Sequence, residues 1–354
     1  MQKKGNSVTR WTGYAGLAAG ILLTLFLFQS IDLERSLYRI STIGFSSLFI
    51  MLPFFGLHFF ETIAWTLVFP PGTGPISFAR LFKIQVISET VSMTLPAGMA
   101  LGEPLRPFLC NRMMGIPYPV SVAAVTVRKL LLSAMQGVYT IIGTVAGFMM
   151  LQRVSPALTG FHGLGFFMLA TGIAVGLIFL YFLLTALKGN SAQSIHSLLM
   201  MVPGKKVKEW LIQRESGFSD TDEHLRSFHG GSPASLWQAT FWYLVGWAML
   251  AVESYIILRL LGADISFPTV LAIDTTLVML RALFFFIPSG LGIQDLGYMA
   301  FFQAVGMPDA VALGGAFILI RRFKEVLWYS AGYGVMFMSG VHLHDPEHAE
   351  QVGS

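Results

Sequence analysis

The sequence is poor in charge and in cysteine. Asp, Glu, Lys and Arg make up only 12% of the 354 residues, about half their share in soluble domains, whereas 54% are hydrophobic. This composition excludes an ordinary soluble domain and predicts an all-α polytopic membrane protein. Cys110 is the single cysteine, so no internal disulfide can form. The net charge of +4 is expected to mark cytoplasmic loops rather than a nucleic-acid surface.

Signatures of enzymes and of metal sites are also missing. The chain has no H-E-x-x-H, no G-x-S-x-G and no phosphate-binding P-loop. His58 and His162 are isolated, which favours satisfied or interfacial histidines. The three histidines near the C-terminus favour an unstructured tail over a metal site. We therefore expect no catalytic residue, no metal and no cofactor.

Apolar runs of about 20 residues, the length that a spanning helix needs, recur along the chain. We predict about six transmembrane helices, near 11–29, 43–69, 118–150, 164–187, 235–261 and 308–340. The first run has no small-residue cleavage site after it, so we expect a retained helix rather than a signal peptide. A polar loop is expected to follow it at 32–39.

Two segments between these runs are interrupted by glycine and proline. A charged helix at 77–94 breaks at LPAG, and the helix expected after it, 103–114, is too short to cross a bilayer. A second segment, 267–305, breaks at IPSGLGIQD. Irregular backbone at membrane depth must be buried in protein or line a wet cavity, so both segments predict re-entrant helical hairpins. We assign the hairpin tips to Pro96, Gly98, Gly102, Pro288, Gly290 and Gly292.

The two hairpins belong to an internal repeat with an offset of 192 residues. Pro96-x-Gly98 recurs as Pro288-x-Gly290. The offset, with one-residue slips, also relates charged residues: Glu61 to Glu253, Glu89 to Arg281, Glu103 to Asp295, and Arg128 to Arg321. An odd number of predicted spans separates the hairpins, so the repeats are expected to have inverted topology, a plan of secondary transporters.

These features divide the chain into five parts. We predict an N-terminal helix and loop (1–42), a first repeat (43–150), span four with a cytoplasmic amphipathic loop (151–234), a second repeat (235–340) and a polar tail (341–354). In the loop, Trp210 and Leu211 are expected to face lipid. Lysine and arginine concentrate on one side of six spans, so the positive-inside rule predicts that both termini are cytoplasmic.

Charged residues inside apolar segments are costly and face the protein interior or water. Guanidinium forks suit phosphate, the common headgroup of membrane lipids, so we assign substrate binding to Arg106, Arg128, Arg281 and Arg321. Pairing of each arginine with a carboxylate is the alternative. Glu103 and Asp295 join the binding set, although a carboxylate in the first turn of a helix also serves as a cap.

Structural charge pairing is the alternative for the remaining acidic residues. We assign it to Glu61, Glu89 and Glu253, with Glu89 expected to pair with Arg281. Lys129 and Arg322 are expected to snorkel or to face polar neighbours. Further charges in the apolar segments receive no individual role: Asp274, Lys324 and Glu325.

Two motifs carry a family resemblance. PAGMALGEPLR at 96–106, followed by GIP at 115–117 and an arginine in the next span, resembles the membrane domain of lysylphosphatidylglycerol synthase and its stand-alone flippase-like relatives. PSGLGIQD at 288–295, GMP at 306–308 and Arg321 are similar to the second motif of that family. The resemblance covers about 40–340. By position, it carries over Glu103, Arg106, Arg128, Asp295 and Arg321.

The resemblance implies a prokaryotic inner-membrane protein that moves or flips lipids. The chain departs from the family pattern at Val127 and at 130–132, where acidic residues are usual. No aminoacyl-transferase domain follows residue 340, so synthase activity is not expected.

Two functions are open on this basis. One is a lipid transporter that binds a phosphate-bearing headgroup at mid-membrane between the hairpins. The other is a non-transporting scaffold that binds a lipid or an envelope-lipid enzyme through the 188–231 loop. A lipid-modifying enzyme is disfavoured because only carboxylates such as Glu61 or Glu103 could act as its base. Membrane lipids are the expected partners, and nucleic acid is not.

Overall fold

The computed structural model describes residue 22 and residues 33–95, 98–189, 215–227, 233–284 and 287–341. These residues form helices joined by turns and short loops, and they contain no β-strand. The first half contains α1 (Leu33–Ile43), α2 (Met51–Thr66), α3 (Phe78–Thr94), α4 (Gly98–Met114) and α5 (Tyr118–Ala146). The middle contains α6 (Phe148–Thr159), α7 (Leu164–Leu187) and α8 (Glu215–Ser227). The second half contains α9 (Pro233–Leu260), α10 (Phe267–Leu283), α11 (Ile293–Val305) and α12 (Ala310–Met338). Short 3-10 helices lie at Gly44–Ile50 and Pro288–Gly290.

Three of the described helices are long and apolar enough to cross a membrane: α5, α7 and residues Ala234–Leu260 of α9. Helix α2 has only 16 residues. Helix α12 has 29 residues but carries four charges within the run 321–325. Length and composition thus support a membrane protein, whereas the predicted number of six spans is not confirmed. The first predicted span lies almost entirely outside the described residues.

The polar loop predicted at 32–39 is wrong, because α1 begins at Leu33. This helix packs against α12. The Ser36 hydroxyl donates to the carbonyl oxygen of Ala312 at 3.1 Å, and Arg39 pairs with Asp309 at 3.0 Å. A polar sequence therefore forms a helix here because its polar side chains find partners on a neighbouring helix.

The third predicted span is shorter than expected, since α5 ends at Ala146 and a separate helix, α6, follows. The break occurs at Gly147, where an added Cβ would overlap the side chain of Ala272 in α10. Contact with α10 at this position thus requires a residue without a side chain. Glycine supplies that close approach and also weakens the helix at the same point.

Each predicted hairpin consists of two helices that pack against each other. Helices α3, α4 and α10 have 17 residues each and α11 has 13. At a rise of 1.5 Å per residue they measure about 20–26 Å, less than the roughly 30 Å hydrocarbon core of a bilayer. In the first hairpin, a Cβ on Gly102 would overlap Ser92, so the helices are in close contact.

The second tip has the irregular backbone that its sequence predicts. Ser289, Gly290 and Gly292 have φ angles of 51°, 62° and 76°. Of these, only Ser289 carries a side chain, which must tolerate the left-handed conformation. At the first tip, Pro96 lies outside the described residues, and Gly98 is the first residue of α4.

Helices α2 and α9 pack against each other and run antiparallel. Gly56 lies against Met249, and one turn further along α2, Phe60 stacks on Trp242 with ring centroids 5.2 Å apart. A later residue of α2 therefore contacts an earlier residue of α9, which shows that the two helices are antiparallel. Positions 56 and 249 are 193 residues apart, within one residue of the 192-residue repeat offset. Equivalent positions of the two repeats therefore contact each other here.

Helix α7 packs against α5 and exposes most of its apolar surface. A Cβ on Gly137 would overlap the backbone nitrogen of Gly176 and would lie 2.7 Å from the carbonyl oxygen of Gly172. Lipid tails are as apolar as the helix surface, so the hydrophobic effect does not drive helices together inside a bilayer. Small residues such as these glycines let the helix backbones approach and pack closely.

We expect Gly137→Ala to lower the free energy of unfolding by about 1–3 kcal/mol, the usual cost of overpacking. Unfolding in detergent monitored by circular dichroism measures this change. Gly176→Ala is the matched control, because its added Cβ would lie 3.9 Å from the carbonyl oxygen of Ala134, an ordinary contact. Equal destabilisation by the two variants would contradict this packing.

Candidate functional site

A buried ion-pair network joins α2, α3 and α5. Arg128 donates from Nη2 to Glu61 at 3.1 Å and to Gln85 at 3.0 Å. The Gln85 amide in turn donates to Glu61 at 2.7 Å, and the guanidinium lies 5.2 Å from the Trp65 ring centroid. Arg128 is only 1% exposed. Partners from two other helices thus hold a full positive charge inside the protein.

A second network joins α3, α4 and α5 around Arg106. This arginine pairs with Glu89 at 3.3 Å and with Glu103 at 3.0 Å, and Glu103 also pairs with Lys129 at 2.8 Å. The predicted pair between Glu89 and Arg281 is therefore wrong. The close packing of α3 on α4 brings Arg106 to Glu89 from within the same hairpin. Because α4 begins at Gly98, Glu103 lies beyond its first turn and is not a helix cap.

The second half contains a corresponding buried network around Glu253. Lys324 donates to Glu253 at 2.6 Å, and Arg321 Nε lies 3.8 Å from the same oxygen. Arg321 stands 4.7 Å from the Tyr298 ring centroid, and Lys324 Nζ stands 3.6 Å from the ring centroid of Phe54. Phe54 belongs to α2, so the two halves of the chain meet at this network.

Asp295 joins the second hairpin tip to α12. Its Oδ2 accepts the backbone N–H of Gly292 at 3.0 Å and pairs with Arg322 at 2.6 Å. Arg322 also pairs with Glu325 at 2.6 Å, and Ser289 donates to Glu325 at 3.2 Å. The Asp295 carboxylate therefore caps α11 and binds a cation at once. The tip is tied to α12 through both of its ends.

The ion pairs of the two halves occupy positions that the 192-residue offset relates within one residue: Glu61–Arg128 with Glu253–Arg321, and Glu103–Lys129 with Asp295–Arg322. In each half, the first pair links the crossing helix, α2 or α9, to the last helix of that half, α5 or α12. The second pair links the hairpin to that same last helix. The sequence offset is thus matched by equivalent contacts.

Several guanidinium groups keep buried N–H donors without an acceptor among the described residues: Nε of Arg106, Nε and Nη1 of Arg128, and Nε of Arg321. Arg281, half-buried near the end of α10, forms no hydrogen bond or ion pair within the described part of the chain. Its Cγ would lie 3.0 Å from a Cβ on Gly290, so it stands directly beside the second tip. Buried donors left unpaired are unfavourable, which marks a place for an acceptor that the described residues do not supply.

Sequence reasoning missed three members of these networks. Gln85 is a buried amide within α3, a signal that charge counting ignores. Lys324 and Glu325 were visible as charges, but their partners depend on how α12 faces α9 and the second tip.

His58 was expected to be satisfied; instead it stacks on Trp328 at 4.8 Å, and neither ring nitrogen has a hydrogen-bond partner among the described residues. Trp210 and Leu211 lie outside those residues.

The chain is similar to one known family of membrane proteins. The model of the family described as lysylphosphatidylglycerol synthase TM region matches residues 13–328, nearly the whole chain. The matched range contains both tips and all the ion pairs described above. A comparison with curated proteins finds no match. The chain therefore belongs to the family of the lysylphosphatidylglycerol synthase transmembrane region.

Proposed function

We propose that the chain is a flippase-like lipid transporter that binds the phosphate of a lipid headgroup at mid-membrane, between its two hairpins. The observation that carries this proposal is the set of buried guanidinium N–H groups without an acceptor among the described residues. Phosphate oxygens accept such donors in a bidentate manner, and phosphate is shared by most membrane lipids. Family membership supports a role in lipid handling.

Alternating access in this proposal comes from an inverted repeat. Its support is the antiparallel crossing of α2 and α9 at Gly56 and Met249, together with the ion pairs that recur at related positions. The lengths of the hairpin helices support re-entrant segments. Their entry from opposite faces is supported by the antiparallel run of α2 and α9. Each hairpin would open the headgroup site to one face in turn, as in transporters built from broken helices.

The acyl chains stay in lipid while the headgroup crosses. An apolar groove of about 390 Å³ runs along the crossing of α2 and α9, lined by Leu52, Pro53, Phe55, Gly56, Phe59, Phe60 and Met249. Glu61 lies on the same helix, α2, and is buried in its ion pair with Arg128. A lipid with one chain along the groove would bring its phosphate towards that pair.

The protein would reside in a prokaryotic inner membrane with both termini in the cytoplasm, as the distribution of Lys and Arg supports. In this proposal it carries out no reaction of its own. Its ligand is a phosphate-bearing membrane lipid, and its work is movement of that lipid between leaflets.

Arg281→Ala tests the proposal with little effect on folding, because Arg281 has no partner among the described residues. Charged hydrogen bonds contribute about 1.5–3 kcal/mol, so the rate at which fluorescent phosphatidylglycerol changes leaflet should fall by about tenfold to a hundredfold. Proteoliposomes of phosphatidylglycerol and phosphatidylethanolamine, with dithionite quenching of the outer leaflet, measure this rate.

Arg259→Ala is the matched control, since Arg259 pairs with the exposed Asp264 at 3.1 Å, away from both tips. It should transport like the wild type, and both variants should unfold at the wild-type temperature. Equal transport rates in wild type, Arg259→Ala and Arg281→Ala would refute the headgroup site.

A further inference from the structure

Two uncharged polar side chains stand beside Arg128 in the protein interior. The indole nitrogen of Trp65 and the hydroxyl of Tyr243 are buried, and neither has a hydrogen-bond partner among the described residues. Arg128 keeps its Nε and Nη1 groups in the same condition. Side chains from α2, α9 and α5 therefore hold buried polar atoms for which the described part of the chain supplies no partner.

The packing of α2 against α9 brings these side chains together. The guanidinium of Arg128 lies 5.2 Å from the Trp65 ring centroid and 3.1 Å from Glu61, one turn earlier on α2. On α9, a Cβ on Gly246 would lie 3.4 Å from Cγ of Glu61, and Tyr243 lies one turn before Gly246 on the same face. Because α2 and α9 are antiparallel, Trp65 and Tyr243 lie on the same side of Glu61. The Tyr243 hydroxyl interacts electrostatically with Arg128 and Glu61.

The hydrogen-bonding capacity of these groups indicates what they bind. An indole N–H only donates, so the partner of Trp65 must offer a lone pair, whereas the Tyr243 hydroxyl both donates and accepts. A hydroxyl group on a ligand satisfies both side chains. An ammonium group has donors and no lone pair, so it cannot accept from Trp65. It would also meet the positive charge of Arg128 beside a carboxylate, Glu61, that is already paired.

The two uncharged side chains do not recur in the second half of the chain. The 192-residue offset relates Trp65 to Ile257 and Tyr243 to Met51, and neither replacement carries a hydrogen-bond donor. The repeated ion pairs serve both halves alike. A donor that is present in one half only is suited to a part of the ligand that contacts only that half.

The tyrosine beside the corresponding arginine of the second half is already engaged. Arg321 lies 4.7 Å from the ring centroid of Tyr298, whose hydroxyl donates to Asp274 at 2.6 Å. Tyr243 has no such partner in the described structure. The two arginines thus have tyrosine neighbours of different kinds, one bound within the protein and one open to a ligand.

We propose that Trp65 and Tyr243 determine headgroup specificity by binding a hydroxyl group that the lipid carries beyond its phosphate. The preferred lipid then has an uncharged polyhydroxyl headgroup, such as glycerol or a sugar, and not an ammonium group. The inference rests on the proposed function for the phosphate site and adds the class of headgroup. The phosphate accepts from Arg128, while the adjoining hydroxyl accepts from the Trp65 indole and pairs with the Tyr243 hydroxyl.

The transport test compares three fluorescent lipids in proteoliposomes of phosphatidylcholine that hold the purified full chain. Phosphatidylglycerol carries hydroxyl groups beyond its phosphate, phosphatidic acid carries the phosphate alone, and phosphatidylethanolamine carries an ammonium group. The wild type should move phosphatidylglycerol about tenfold faster than either of the others, as expected from two neutral hydrogen bonds. Phosphatidic acid separates this preference from a preference for negative charge.

Tyr243→Phe and Trp65→Phe each remove one hydrogen-bonding group and keep an aromatic ring. Each should lower the ratio of the phosphatidylglycerol rate to the phosphatidic acid rate by about threefold, and the double variant should bring that ratio close to one. Tyr181→Phe and Trp237→Phe are the matched controls, because these side chains are 65% and 75% exposed. Both controls should keep the wild-type ratio. A purely structural role would slow all lipids alike and leave the ratio unchanged.

Native mass spectrometry tests the same preference without transport. The full chain in detergent is mixed with equal amounts of unlabelled phosphatidylglycerol, phosphatidic acid and phosphatidylethanolamine, and the bound lipids are counted. The wild type should retain mainly phosphatidylglycerol. The double variant of Trp65→Phe and Tyr243→Phe should bind phosphatidylglycerol and phosphatidic acid alike.

The outcomes separate this inference from the proposed function. If the wild type moves none of the three lipids, the proposed function fails, and the bound lipids alone decide the headgroup preference. If it moves and binds all three equally, the transporter stands and the specificity inference is overturned. A preference for phosphatidylethanolamine would also overturn it, and so would variants that slow every lipid by the same factor.

Discussion

Glu253→Gln is expected to lower the free energy of unfolding by about 3–5 kcal/mol, the cost of removing one partner from a buried ion pair. The Glu253 carboxylate neutralises two buried cations, Lys324 at 2.6 Å and Arg321 at 3.8 Å. An amide keeps the shape but leaves both positive charges without a counter-ion in the protein interior. Equilibrium unfolding in mixed detergent and sodium dodecyl sulfate measures the change.

The physical cause can be separated from a general intolerance to substitution. Adding Lys324→Met to Glu253→Gln removes one of the two uncompensated cations and should recover at least half of the loss. Asp264→Asn is the control, because Asp264 pairs with Arg259 at the surface and its side chain is fully exposed. It should unfold like the wild type. A Glu253→Gln protein as stable as Asp264→Asn would contradict the assigned pairing.

Buried ion pairs contribute little net stability, since desolvation offsets much of their attraction. Stability alone therefore does not explain why the chain buries several ion pairs, and we infer that the charges serve its function. The arginines retain unpaired donors, whereas the carboxylates hold them in place. We interpret Glu61 and Glu253 as the groups that position guanidinium forks for an anion.

Helix bounds could be predicted from the sequence where apolar runs end at glycine or proline. Helix α7 spans Leu164–Leu187, the predicted bounds, because glycine-rich turns flank a continuous apolar run. The end of α5 could not be predicted, because many helices contain a glycine without breaking. Only the contact of Gly147 with Ala272 explains why the helix ends here. Helix α1 was missed because its partners, Ala312 in α12 and Asp309 just before that helix, lie more than two hundred residues away in the sequence.

The residues of the candidate site could be predicted from the sequence, but the ion pairs between them could not. A charged side chain inside an apolar segment is costly unless it faces the protein interior or water. Arg128 and Glu61 could therefore be selected as candidate site residues from the sequence. Which carboxylate meets which arginine depends on the helix faces, and Glu89 lies beside Arg106 rather than Arg281 for that reason. Asp274 could be seen as a charge, but its three hydroxyl donors come from helices far apart in sequence.

Arg128→Lys is expected to reduce lipid transport by about tenfold to a hundredfold while the protein remains folded. Lysine keeps the positive charge beside Glu61, which is 3.1 Å from the present guanidinium. It lacks the planar fork whose Nε and Nη1 groups are buried without an acceptor among the described residues. A bound phosphate would lose one charged hydrogen bond of about 1.5–3 kcal/mol, and every 1.4 kcal/mol is about tenfold in affinity.

The leaflet-exchange assay with fluorescent phosphatidylglycerol measures this loss, and unfolding in detergent shows that the ion pair survives. Arg259→Lys is the matched control, since it makes the same exchange in the exposed pair with Asp264. It should leave transport unchanged. If Arg128→Lys transports lipid at the wild-type rate, a point charge is sufficient at this position. The guanidinium of Arg128 would then serve only to neutralise Glu61, and the headgroup site would have to be sought at Arg106, Arg281 and Arg321.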